Sequence, residues 1–139
     1  MHYNFIAAAL AALAAMGAAG LSWLINGFIM RLGPRGLIYL APAAEEVAKT
    51  GLALALGACV PAAHIFFGLL ESLWDGAGKK NIPAGVSALL GHTVFGLITY
   101  YVFIFSGEPA PAMICAYFAH AGWNSLVLRL AGRKWKAKV

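Results

Sequence analysis

Apolar runs long enough to cross a lipid bilayer fill most of this chain, and they leave it few ways to fold. In hydrocarbon every backbone N–H and C=O must be satisfied within the structure, which a helix does along its own length. A spanning helix needs about 20 apolar residues. Runs of that kind extend from Phe5 to Met30, Leu37 to Val60, Ile82 to Ser106 and Ala110 to Ala131, with a shorter one from Pro61 to Trp74. The expectation is an all-α integral membrane protein, a polytopic bundle of about five transmembrane helices. With 62% hydrophobic and 11% charged residues, the 139-residue chain has too little charge to cover a water-facing surface of its own.

Residues 1–139 read as a single transmembrane domain. Residues 1–36 hold the first span and a basic loop, 37–131 the polar motifs, and 132–139 a basic cytoplasmic tail. The first run does not read as a signal peptide, because Met1 to Asn4 contains no Lys or Arg. Its Ala11, Ala14, Ala15 and Ala18 suit close helix packing instead. The net charge of +5 sits mostly in short loops and at the C-terminus, so it reports membrane orientation and gives no sign of nucleic-acid binding. Arg31 and Arg35 follow span one, Lys79 and Lys80 follow span three, and Arg133-Lys134-Trp135-Lys136-Ala137-Lys138 follows span five. The intervening loops carry no basic residue. That alternation places the N-terminus outside and the C-terminus in the cytoplasm of a cell membrane.

Four polar clusters interrupt the apolar background: Glu45-Glu46-Val47-Ala48-Lys49, Phe67 with Glu71, His92, and His120 with Asn124. An ionisable group in a span costs about 2.5–3.5 kcal/mol on insertion scales, so each is a functional candidate. At 1.5 Å per residue, Glu45, His92 and His120 lie roughly 12, 15 and 16 Å from the inner ends of their spans. Glu71 lies nearer the surface. A shared cavity in the cytoplasmic half follows. Glu45 and Glu46 are about 100° apart on a helix and straddle a site, with Lys49 one turn on to neutralise Glu45. Pro42, one turn before them, loosens the backbone there.

Each group also has a structural reading. Glu45–Lys49 fits an ion pair at helical spacing, Glu71 an anchor for the Lys79–Lys80 loop, His92 and His120 packing histidines, and Asn124 interhelical glue. His64 reads as structural, and Cys59 and Cys115 as small apolar filler rather than a disulfide.

The order EExxK (Glu45, Glu46, Lys49), FxxxE (Phe67, Glu71), an intramembrane His92, and HxxxN (His120, Asn124) resembles the PrsW family of intramembrane proteases. That family sits within a superfamily with the CAAX prenyl endopeptidases and bacteriocin-processing membrane proteases. The resemblance runs from span two to the C-terminus. It departs at Asn124, where many PrsW-like sequences carry Asp. It implies hydrolysis of a peptide bond in a membrane-anchored or transmembrane protein substrate, with the lipid bilayer as the other partner. Glu45 or Glu46 is then the base that activates water, Lys49 tunes its charge, and Glu71, His92, His120 and Asn124 complete the catalytic set.

Glu71, His92 and His120 also form the His/His/Glu donor type of a catalytic zinc site. No HExxH is present, and the sequence leaves a zinc-dependent metalloprotease and a metal-free glutamate protease both open. Two other function classes use the same residues. One is a small proton or cation transporter. The other is a non-catalytic scaffold that binds transmembrane segments, a role the wider superfamily also includes.

Overall fold

In the computed structural model of the chain, which describes residues 2–78 and 80–131, the regular elements are all helical and no strand occurs among those residues. Five helices follow one another: α1 His2–Ile29, α2 Ala41–Ala55, α3 Val60–Leu73, α4 Ile82–Ser106 and α5 Pro109–Ala131. A 3-10 turn, Met30–Leu32, extends α1, and π turns Gly36–Leu40 and Trp74–Gly78 precede α2 and follow α3. The connections are short, which sets sequence neighbours antiparallel. Two helices, α1 with its extension to Leu32 and α4, are long and apolar enough to cross a membrane. Lys79 and the basic tail from Arg133 to Lys138 lie outside the described residues.

Local chemistry sets the limits. Helix α4 starts behind Asn81, whose side chain accepts from the Ala84 amide at 3.3 Å, with Pro83 in the first turn where its missing N–H costs nothing. Helix α2 is shorter than the apolar run that contains it. It stops at Ala55 because Gly57 takes φ +63, a left-handed conformation glycine adopts without strain. Val60, the last residue of that run, already belongs to α3, which has Pro61 in its first turn.

Pro42 acts on the backbone ahead of it. The Ala41 amide reaches back to the Gly36 carbonyl, five residues away, and Pro42 has no amide to offer. The carbonyl of Leu37 therefore has no helical donor. It accepts instead from Asn124 Nδ2 of α5, at 3.0 Å. A proline-made gap in one helix is closed by a side chain from another.

Small residues bring the helices together. Ala11, Ala14, Ala15 and Ala18 of α1 are fully buried, packed against Ala53, Val60 and Ala63 on one side and Ala48 and Phe67 on the other. Between α3 and α4 the close contact is reciprocal. A Cβ on Gly96 of α4 would meet His64 Cβ at 2.6 Å, and a Cβ on Gly68 of α3 would meet His92 Cβ at 3.0 Å. Each histidine stem rests on a glycine of the opposite helix.

The polarity is inverted relative to a water-soluble protein. The largest fully buried side chains are Lys49, His64, His92, Glu46, Thr50, Thr99 and Pro42, while Phe5, Phe28, Phe105 and Phe118 are two-thirds exposed or more. A protein in water hides its large apolar groups and keeps Lys and Glu outside unless they are paired.

Candidate active site

Helix α2 carries Glu45 and Glu46 on different faces. Glu46 points into the bundle and is sealed there. Its Oε1 accepts from Lys49 Nζ at 2.7 Å and from His120 Nδ1 at 2.9 Å. Its Oε2 lies 3.8 Å from His64 Nδ1 and makes no hydrogen bond. Lys49, wholly buried, is 2.9 Å from His92 Nδ1, and its ammonium sits 4.6 Å above the centre of the Phe67 ring. Carboxylate, imidazole and ring face together replace the water such a cation would lose.

These contacts assign the tautomers. An ammonium only donates, so His92 Nδ1 accepts from Lys49. Its Nε2 then carries the hydrogen and donates to Glu71 Oε2 at 2.6 Å. A carboxylate accepts, so His120 Nδ1 donates to Glu46, and the lone pair of His120 rests on Nε2. That nitrogen faces Glu45, with 3.9 Å between Nε2 and Glu45 Oε2. Phe95 stacks on the His120 ring at 4.5 Å and 20°, and sits edge-on to His92 at 5.6 Å. The two imidazoles are perpendicular, 5.1 Å apart.

A cavity of about 280 Å³ reaches this pair. Glu45, Glu71, His92, His120 and Asn124 line its wall, whereas Glu46 and Lys49 do not. Glu45 is further held by Asn26 of α1, which donates to Oε1 at 3.2 Å.

The structure thus brings the candidates from α2, α3, α4 and α5 to one place, in a different arrangement from the spacing argument. Lys49 pairs at 2.7 Å with Glu46 and stands 4.0 Å from Glu45, its expected partner. Glu71 contacts His92; its expected hold on the Lys79–Lys80 loop involves Lys79, which lies outside the described residues. The triad that converges to within 4.8 Å is Glu45, His92 and His120, not Glu71, His92 and His120. This converged group is of the donor type that could hold a metal ion, but Lys49 and Glu71 engage both ring nitrogens of His92, so an ion there would have to displace one of them.

Asn26, Phe95, Thr50 and Ser87 were not singled out from the sequence. Thr50 Oγ1 lies 3.3 Å from His64 Nε2, and Ser87 accepts from Trp123 Nε1 at 3.1 Å. Asn26 had a usable signal, a lone amide inside an apolar run. Phe95 had none, since nothing separates it in the sequence from an ordinary packing aromatic. Cys59 and Cys115 are free thiols at the surface.

A scan of protein-family models, a search of curated proteins and a search of solved structures each give no match to this chain.

Proposed function

We propose that the chain is an intramembrane protease: a five-span bundle in a cell membrane that hydrolyses a peptide bond of a membrane-anchored or transmembrane protein. The observation that carries this reading is the pairing of Glu45 Oε2 with His120 Nε2 across 3.9 Å on the cavity wall. Both atoms are acceptors. A water between them donates one hydrogen to each and turns a lone pair toward the cavity, the orientation needed to attack a carbonyl carbon. Attack forms the C–O bond and passes one proton to Glu45. Collapse of the tetrahedral intermediate breaks the C–N bond, and Glu45 returns that proton to the leaving amine. His120 keeps its orientation through Glu46 behind it and Phe95 beside it. No step is routed through zinc.

The inverted polarity of the bundle supports placing all five helices in lipid, and the loop charges favour an outside N-terminus and a cytoplasmic C-terminus. The motif order shared with PrsW-like proteases supports the same chemistry. The test is reconstitution in proteoliposomes with single-span reporter proteins. Wild-type protein should cut a reporter, and Glu45→Gln should not, while keeping the same melting temperature. Proton or cation flux without cleavage would establish a transporter. Tight capture of an intact reporter without cleavage or flux would establish a scaffold.

A further inference from the structure

Helix α1 carries two polar atoms that the proposed chemistry leaves unused. Ser22 is 3% exposed and its hydroxyl has no hydrogen-bond partner; Asn26 Oδ1, one turn on, is buried and has none either. Both residues line a second cavity, of about 650 Å³, between α1 and α3. Met16, Ala19, Phe67 and Leu70 make its walls apolar, and Glu45, Glu71 and Asn26 belong to both cavities. The two cavities therefore share a wall at Glu45, where the proposed chemistry would take place. Orphaned polar groups in an apolar environment each cost about 1–3 kcal/mol, which a ligand that satisfies them recovers.

We infer that Ser22 and Asn26 bind the main chain of an extended, apolar peptide segment lying along α1. Residues i and i+4 on a helix are about 6 Å apart along its axis. Same-facing main-chain groups of an extended chain repeat every two residues, about 6.6–6.8 Å. The two repeats match closely enough for the Ser22 hydroxyl to donate to one carbonyl while Asn26 Oδ1 accepts from a nearby N–H. An intact transmembrane helix has no such groups free, because its own ladder uses them, and a lipid acyl chain has none at all. The occupant is thus a locally unwound stretch of peptide with apolar side chains against Phe67 and Leu70. Its far end lies beside Glu45. As a substrate subsite the inference rests on the protease reading; as a peptide-binding site it does not.

The test uses the full chain in detergent micelles and two probes. One is an acetylated tetraleucine amide carrying a dansyl group, and the other is the same peptide with its main-chain amides N-methylated. Energy transfer from Trp23 and Trp74, which line the cavity, reads binding. The first peptide should bind about tenfold more tightly than the methylated one, the worth of one buried hydrogen bond. Ser22→Ala, which removes the orphaned hydroxyl, should weaken it several-fold while raising the melting temperature of the unliganded protein or leaving it no lower. Equal affinity for the two peptides overturns the inference and marks the groove as a lipid-chain site, and so does wild-type binding by Ser22→Ala. Binding of the peptide with no membrane substrate ever cut would fail the protease reading and keep the site. Cleavage of a membrane substrate at an unchanged rate by Ser22→Ala would fail the site and keep the protease.

Discussion

The inner face of α2, where Glu46, Lys49 and Thr50 meet His64, His92 and His120, is closed to the cavities; the face that bears Glu45 forms their wall. Each face bears a glutamate, and the two glutamates are adjacent in the chain. Glu46 accepts two short hydrogen bonds at one oxygen, while Glu45 is held by a single amide and leaves Oε2 toward His120. Roughly 100° of helical rotation separates a carboxylate that organises a buried network from one that can meet a reactant. Burial of charge is expensive, and the inner face tolerates it by pairing Glu46 Oε1 with both Lys49 and His120. An open set is tolerable only where something else is meant to enter.

The widest separation between the two faces should appear in activity. Glu45→Gln is expected to lower cleavage by about 10²–10⁴-fold, the usual share of a general base, with unfolding in detergent little changed. A Glu45→Gln protein that retains wild-type activity would assign the base elsewhere. The inner face should answer in stability. Lys49→Met leaves Glu46 without its ammonium and is expected to cost about 3–5 kcal/mol, read as a large fall in melting temperature.

How far the comparison was visible in the sequence follows from helical geometry. The apolar runs delimit α4 without error and α1 and α5 within a few residues, because composition and the flanking Asn81 and Gly107 act locally. The end of α2 was missed, since one left-handed glycine decided it inside a run with no polar break. Periodicity also showed that Glu45 and Glu46 must diverge. It could not say which one faces the cavity, because the rotation of α2 about its axis is set by its packing on α1, α3 and α5. The exchange of Glu71 for Glu45 beside His92 and His120 has the same origin. Asn26 entered the site through the antiparallel return of α1 against α2, a relation no local pattern records.

Smaller effects sharpen the distinction. Gly96→Ala drives a Cβ against the His64 stem and is expected to cost about 2 kcal/mol as an overpacked contact. Gly68→Ala, with 3.0 Å of room against His92, should cost less, and unfolding curves of the two should rank them in that order. Asn124→Ala orphans the Leu37 carbonyl and is expected to cost about 1 kcal/mol. Least of all should metal removal matter: purified active protein should carry zinc well below one ion per chain, and dialysis against a chelator should leave cleavage unchanged. Stoichiometric zinc lost with His120→Ala would require Lys49 or Glu71 to leave His92 and would break the assignment of its hydrogen bonds.

The paired glycine–histidine contacts between α3 and α4 also decide where the molecule can move. Each helix is keyed to the other at two points, so sliding or rolling either one drives a histidine stem into backbone. The two therefore behave as one stiff plank, and His92 keeps its height relative to Glu71 through any opening of the bundle. On the proposed reading, a chain admitted from the side enters by a swing of α1, which meets Ala48, Ala53, Val60, Ala63 and Phe67 with alanines alone and carries no bulky key of its own there. Spin labels across α1 and α4 should report a broad spread of distances, and labels across α3 and α4 a narrow one.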